Sequence, residues 1–302
     1  MAQARQVAAN LEQLHPGLTV TERVIRTTGD QRASQSLPSI GGKGVFTLEI
    51  EAALLTGEID FAVHSLKDLP PEMPEGLCLA AVPAREAAAD CLIPRTDWPL
   101  WPRDAQLPLP HLPPGATVGT SSLRRRAMLL NVRPDLVVAD LRGNIDTRLR
   151  KLETEGFHAI VLARAGLTRL GLAPAKTLDL PESWFVPAPA QGALALQSRT
   201  GDLGARAILM ALEDGPTRAA VAAERALVVA LGAGCSTPLG ALARCQGENV
   251  ALCAVVLHPE GTQRIPVSIE GSGDPELVGQ SAARKLLEKG AAALLFGAPP
   301  HE

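Results

Sequence analysis

Tyrosine is absent from this 302-residue chain, and aromatic residues make up only 3% of it. Large rings therefore cannot fill its cores, and packing must rest on Leu, Val and Ala, which an apolar content of 46% can supply. The five cysteines, Cys78, Cys91, Cys235, Cys245 and Cys253, are odd in number and include no C-x-x-C pair. That argues against a disulfide framework and against a zinc knuckle. Cys78 (GLCLAAV), Cys91 and Cys253 (VALCAVV) lie in apolar, strand-like surroundings, as free thiols in a reducing compartment would. Cys235 differs, because LGAGCSTPLG puts it in a flexible loop. No apolar run approaches the length of a membrane span. The start, MAQARQVAANLEQL, lacks the basic-then-apolar pattern of an export signal, so a cytoplasmic location with no membrane partner is expected. Charge of one sign is also scarce: 29 Lys and Arg face 32 Asp and Glu, for a net charge of -3. A general nucleic-acid binder is expected to be more basic.

The length suggests two or three domains. AQARQVAANLEQL has apolar residues at helical spacing and stops at HPG, and LTVTERVI alternates like a strand. TTGDQRASQSLPSIGGKG is polar and Gly-rich, a mobile loop. GGKG lacks the Walker spacing and a Ser or Thr after Lys43, so it reads as a hinge of that loop. VFTLEIEAALLTGE predicts a helix, IDFAVHS a short buried strand and GLCLAAVP another strand. Residues 94–115 hold many prolines and two tryptophans, and read as a linker or an inserted surface loop. Strand and helix then alternate: TVGT and SSLRRRAMLLNV, LVVADLRG and NIDTRLRKLETEG, HAIVLA and RAGLTRLGL. Such alternation predicts a parallel sheet covered by helices on both faces. PAPAQGALALQSR breaks the pattern as a crossing segment, followed by the helix TRAAVAAERALVVAL. Three strands (LGALARCQ, NVALCAVVLH, RIPVSIEG) and one helix (PELVGQSAARKLLEKGAAALL) predict a small C-terminal α+β domain.

Three constellations could carry chemistry. In FAVHSLKDLPPEMP a buried strand ends at His64 and Ser65, with Lys67 and Asp68 next. Ligands bind beyond the carboxyl ends of strands in open α/β sheets, so an acid beside a base is well placed there. An ordinary solvated turn would use the same residues, and His64 reads as a satisfied core histidine. In TVGTSSLRRRAMLL a strand meets a helix through Thr120, Ser121 and Ser122, with Arg124, Arg125 and Arg126 following. A helix N-terminus with guanidiniums nearby suits a carboxylate or phosphate. Adjacent helix residues lie about 100° apart, so at most two of the three arginines can face one cleft; a solvated charged face is the alternative. DLRGNIDTRLRKL repeats the geometry with Arg142 and Arg148, and Arg164 and Arg169 follow the next strand. Nine arginines fall between Arg124 and Arg169 in a slightly acidic protein. They concentrate beside one set of strand ends, which suggests an anionic ligand with several charges.

The stretches GGKGVF, FAVHSLKDLP, VGTSSLRRRAML, RPDL, LRGNIDTRL, AIVLARAGLTRLGL, PAQGALAL, AERAL and GAGCSTPLG together resemble the porphobilinogen deaminase (hydroxymethylbilane synthase) family. They cover nearly the whole chain in the family's order. The resemblance implies an α/β fold of two periplasmic-binding-protein-like (type II) domains with a cleft, plus the small C-terminal α+β domain. Domain 1 would span 1–83 and 190–212, domain 2 would span 84–189, and domain 3 would span 213–302. It implies a dipyrromethane cofactor held covalently by Cys235 as a primer that is not turned over. Four porphobilinogen molecules would be added head to tail, each losing ammonia, before water releases hydroxymethylbilane for tetrapyrrole and heme biosynthesis. Each ring carries an acetate and a propionate, which accounts for the arginines better than a phosphate would. Asp68 matches the catalytic carboxylate. Lys67, Ser65, Thr120, Ser122, Arg124, Arg125, Arg142, Arg148 and Gln3 match cofactor-binding positions, and Arg169, Arg148 and Arg142 match substrate-binding ones. No metal is implied, and a monomer is expected.

Some features depart from the family pattern. The family begins with a strand and an R-x-S-x-L-A motif, whereas this chain starts within the helix that follows them. The first strand of domain 1 and two site residues are therefore expected to be missing. The Pro/Trp-rich insert, Ala87-Ala88-Ala89 and Ala233 are smaller departures, and Asp90 is retained. An organic-anion solute-binding protein of the same cleft architecture would explain the arginines but not Cys235 or the third domain. A DNA-binding regulator would need a helix-turn-helix segment, which the sequence lacks.

Overall fold

The computed structural model describes residues 2–25, 27, 47–97, 109, 112–234 and 237–296. Three sheets organise them. The first lobe opens with helix α1 (Ala2–Leu14), which buries Val7 and Leu11, four residues apart on one face. Helix α2 (Leu48–Leu55) and strands β1 (Phe61–Ser65) and β2 (Leu77–Ala81) follow. Strand β8 (Leu194–Arg199) arrives from the second lobe and inserts between them, antiparallel to both.

The second lobe has five strands: β3 (Asp90–Pro94), β4 (Thr117–Gly119), β5 (Val137–Ala139), β6 (Ala159–Ala163) and β7 (Leu178–Asp179), in the order β5-β4-β6-β3-β7. β4 is parallel to β5 and β6, while β3 runs antiparallel to β6 and β7. The three parallel strands lead into helices α3 (Leu123–Val132), α4 (Ile145–Thr154) and α5 (Arg164–Arg169). Side-chain caps start two of these: Ser122 accepts from Arg125 N and Asn144 from Thr147 N. This brings three strand-to-helix turns to one side of the sheet.

Helix α6 (Leu203–Leu209) leads to the third lobe, where α7 (Gly215–Ala230), α8 (Pro275–Glu288) and α9 (Ala291–Phe296) accompany an antiparallel meander of β9 (Leu239–Gln246), β10 (Asn249–Leu257) and β11 (Arg264–Ser272). This sheet shares apolar packing with the second lobe: Leu242, Val255 and Leu257 join Met128, Phe185 and Val186 in one cluster. Phe185 is fully buried, edge-on to Trp184 at 5.3 Å and 5.8 Å from the Arg124 guanidinium. No described helix is long and apolar enough to cross a membrane.

Several elements differ from the sequence reading. The expected parallel sheet is parallel only across β5-β4-β6; the first sheet is antiparallel, because β8 returns against β1 and β2. Residues 187–199 do cross between lobes, but their second half becomes that central strand. Residues 18–25 form no strand. Leu18 and Val20 pack against the first-lobe core without a neighbouring ladder, so their alternation reflects one-sided burial. The last predicted helix is two, broken at Gly290 with φ of 89°. Within the Pro-rich stretch Leu109 and Leu112 are buried in the second-lobe core, so part of it is not surface loop. Residues 98–108 and 110–111 of that stretch, and GGKG, lie outside the described residues.

One buried carboxylate joins the parts. Glu224 on α7 is fully buried and accepts from Arg85 at 2.6 and 3.1 Å, from Ala190 N at 2.5 Å and from Ala243 N at 2.7 Å. Arg85 lies between β2 and β3, on the first of two segments that cross between the lobes; Ala190 lies on the second, residues 187–199, and Ala243 on β9. Gly192 has φ of 87°, and a Cβ there would collide with the Glu86 carbonyl of the other crossing segment. Removing one partner of a buried, multiply bonded ion pair costs about 3–5 kcal/mol. Glu224→Ala is expected to lose that much in urea unfolding, and a loss below about 1 kcal/mol would contradict the role of a common tie.

Candidate active site

β1 ends at Ser65, and a single 3₁₀ turn, Leu66–Asp68, follows. Leu66 and Leu69 are buried on either side, which leaves Lys67 half-buried and Asp68 exposed. Among the described residues Asp68 makes no hydrogen bond or ion pair, so its carboxylate is free for a ligand. Gln3 on α1 donates from Nε2 to Ser65 Oγ at 2.8 Å. His64 is buried with Nε2 3.0 Å from Gln197 Oε1, and burial lowers its pKa. It is a satisfied core histidine.

The opposite wall starts where β4 meets α3. The buried Thr120 Oγ1 accepts from Ser122 N at 3.2 Å, and the Ser122 hydroxyl caps α3. Arg124 and Arg125 both turn inward, 4% and 6% exposed, onto Asp90 at the start of β3. Arg124 donates to Asp90 Oδ2 at 2.7 Å and to Val186 O at 2.8 Å. Arg125 reaches Asp90 Oδ1 through Nε at 3.0 Å and through its terminal nitrogen at 2.7 Å. Arg126 points elsewhere, to Val138 O and Glu260. Gln191, on the second crossing segment, donates from Nε2 to Asp90 Oδ1 at 2.9 Å and to Ala88 O at 2.7 Å, and its Oε1 accepts from Lys67 Nζ at 3.3 Å.

Lys67, Asp68, Asp90, Arg124, Arg125 and Arg148 therefore share one electrostatic environment. Burial lowers the Lys67 pKa most; Asp68 opposes that, and Arg125 adds to it. Arg148 donates to Gly143 O at 2.7 Å, and its pKa is lowered by burial and by Arg125, with Asp68 opposing. Arg142 lies 3.7 Å from Asp140. Arg169 donates to Gly192 O at 2.6 Å, and burial lowers its pKa. Cys235 lies outside the described residues. On either side of it Thr237 N donates to Gly234 O at 3.0 Å, and Gly232 adopts φ of 59°.

The donor set suits a polycarboxylate. Four cations, Lys67, Arg124, Arg125 and Arg148, face two carboxylates, Asp68 and Asp90, and Arg124 Nε is a buried donor without an acceptor among the described groups. Such a surplus of buried positive charge is stabilised by an anionic ligand. Gln191 falls within PAQGALAL but is not singled out in the sequence as part of this site; only the folded chain brings it between Lys67 and Asp90.

Burial alone would raise the Asp90 pKa, but Arg124 and Arg125 overrule it and hold it at about 2. A lowered carboxylate pKa stabilises the fold fully above the ordinary value of 3.8, and that stabilisation is lost as pH falls towards about 2. Asp90→Asn should therefore be less stable by about 3–5 kcal/mol near neutrality, with the deficit shrinking between about pH 4 and pH 2. Urea unfolding at stepped pH checks this, and a deficit independent of pH would contradict it.

Comparison with known proteins agrees with this chemistry. Residues 1–207 match the family "Porphobilinogen deaminase, dipyromethane cofactor binding domain", and residues 218–288 match "Porphobilinogen deaminase, C-terminal domain". A porphobilinogen deaminase of Desulforudis audaxviator is 45% identical over 296 residues, covering 98% of this chain and 93% of the relative. One of Rubrobacter xylanophilus is 46% identical over 295 residues, covering 98% and 92%. One of Xanthomonas euvesicatoria is 46% identical over 296 residues, covering 97% and 94%. Among solved structures, a double mutant of the Bordetella pertussis BvgS VFT2 domain covers 74% of this chain and 82% of its own, at 19% identity and a TM-score of 0.37, a likeness too distant to bear on function. The solute-binding alternative is set aside, since nearly the whole chain, third lobe included, matches enzymes: the chain belongs to the porphobilinogen deaminase family.

Proposed function

We propose that Asp68 is the catalytic carboxylate of a reaction in which four porphobilinogen molecules are joined head to tail, each losing ammonia, and hydroxymethylbilane is released by hydrolysis. The observation that carries this is the free Asp68 carboxylate, exposed beside a wall with surplus positive charge. The dipyrromethane group characteristic of the family would be held through the Cys235 sulfur and would supply a nucleophilic pyrrole end. Gln3, Ser65, Lys67, Thr120, Ser122, Arg124, Arg125, Arg142 and Arg148 would hold its acetate and propionate groups. Arg142, Arg148 and Arg169 take the carboxylates of incoming porphobilinogen. Guanidiniums suit this task, because each presents a planar fork of donors and stays charged. Asp90 fixes one edge of two of these forks.

Asp68 faces the substrate's amine and the positive charge that develops on the pyrrole as ammonia leaves. Its role is to stabilise that cation and hold the departing proton. A unit charge pair at about 4 Å is worth about 4 kcal/mol at an effective dielectric of about 20. That corresponds to roughly a thousandfold in rate.

We assign the domains as 1–83 with 190–212, 84–189 and 213–302, a division supported by the three sheets and the two crossing segments. The enzyme is read as a cytoplasmic monomer acting on a small molecule, without nucleic-acid or membrane partners. The slight net charge and the family resemblance support this.

Asp68→Ala is expected to lower turnover by roughly a thousandfold while the protein stays folded. Steady-state kinetics with circular dichroism checks this, and near-normal turnover would remove Asp68 from the chemistry. Intact mass tests the tether: protein purified from cells should carry an adduct that Cys235→Ser abolishes, and active protein with an unmodified Cys235 would contradict the assignment.

A further inference from the structure

Lys67 and Asp68 are adjacent on one 3₁₀ turn, yet the ammonium does not pair with the carboxylate. Lys67 Nζ instead donates to Gln191 Oε1 at 3.3 Å. The Gln191 side chain is 1% exposed, and its amide is fixed at the other end by donation to Ala88 O and Asp90 Oδ1. Its orientation is thus set: an amide nitrogen held by two oxygens must present its oxygen to the opposite side, where Lys67 lies. A lysine on a flexible four-carbon stem that loses this acceptor loses one of the bonds that aim it at the cofactor carboxylates, and is freer to swing to the carboxylate on its own turn, which acts on it more strongly than Asp90 does. That carboxylate is Asp68.

We propose that Gln191 is a positioning residue that keeps the Lys67 ammonium off Asp68, so that Asp68 remains unpaired and available to the substrate's positive charge. The inference rests on the reading of Asp68 as the catalytic carboxylate. Gln191 touches neither substrate nor reacting atoms in this account; it acts through Lys67. It also joins the two walls, because Lys67 belongs to the first lobe and Asp90 to the second. The carboxylate that orders the arginines thereby also orders, through one amide, the lysine beside Asp68.

The test compares two substitutions that both remove the donor to Asp90 but differ toward Lys67. Gln191→Leu leaves Lys67 without its acceptor. Gln191→Glu keeps an oxygen acceptor for it. In steady-state kinetics with porphobilinogen, Gln191→Leu is expected to lower kcat roughly ten- to hundredfold with KM changed less than about threefold, while Gln191→Glu loses at least about fivefold less. Both should lower the melting temperature, because both lose the Asp90 bond, and Gln191→Glu the more, since one of its carboxylate oxygens then faces Asp90 and Ala88 O. In a Lys67→Met background, Gln191→Leu should add little further loss of kcat, since the residue it restrains is gone. Equal kcat losses in the Leu and Glu variants, or losses that simply add to that of Lys67→Met, would overturn the positioning role. Should Gln191→Leu fail to fold, the cycle with Gln191→Glu decides: a kcat loss as deep as that of Asp68→Ala, in folded protein carrying its adduct, overturns the proposal. Activity retained in Asp68→Ala would instead sink the underlying reading, whatever the Gln191 variants do.

Discussion

The site depends on the Asp90 carboxylate. It is fully buried and takes hydrogen bonds from Arg124, Arg125 and Gln191. Two guanidiniums could not be brought 4–6% from full burial without an anion to meet them, because desolvating a charge costs several kcal/mol. Asp90 begins the antiparallel strand β3, Arg124 and Arg125 open helix α3, and Gln191 lies on the segment that leaves the second lobe. The ionic cluster forms only when all three are in place. It ties the start of the lobe to its end and fixes the α3 turn that carries Thr120 and Ser122.

Glu224 does the same at the junction of the lobes, where Arg85 and the backbone of Ala190 and Ala243 converge on it. These two carboxylates divide the charges of the protein into two sets. Behind the cleft, Asp90 and Glu224 are saturated with donors and serve the fold. At its front, Asp68 has no partner among the described residues, and Lys67 and Arg148 make their hydrogen bonds to neutral oxygens. The second set is the one open to a ligand, because a charge already neutralised within the fold has little left to offer. Arg124 and Arg125 straddle the division: each spends part of its fork on Asp90 and leaves further N–H groups.

Much of this was legible in the sequence where the cause is local. FAVHSLKD reads as strand then turn because a short apolar run ends in charge. TSSLRRRAML reads as a capped helix because the cap lies three residues from the amide it serves. Long-range pairings were not legible. A run of arginines after a strand end looks alike whether it faces a cleft or folds inward onto Asp90, which is 34 residues from Arg124. The reading that at most two of the three could point one way follows from helix geometry; that those two turn inward follows from Asp90. The insertion of β8 between β1 and β2 leaves no local mark either, since an apolar run such as ALALQS reads alike in a parallel or an antiparallel sheet.

Helix α7 links the Asp68 turn to the start of the Cys235 stretch. Arg225, next to Glu224, donates to the carbonyls of Leu69, Pro70 and Pro71, immediately after the Asp68 turn. No carboxylate meets this guanidinium among the described residues, and burial lowers its pKa to about 10. Carbonyl dipoles hold it, and their geometry fixes the backbone that follows Asp68. Five residues later the same helix ends at Ala230, and the LGAGCSTPLG stretch begins. At about 1.5 Å per residue the helix advances only about 8 Å between those points. The start of the Cys235 stretch and the Asp68 turn are therefore related through one short, hydrogen-bonded helix segment. The crossing segments do not intervene. Glu224 and Arg225 are neighbours in AERAL, so one motif fixes both the junction of the lobes and the turn that presents the carboxylate.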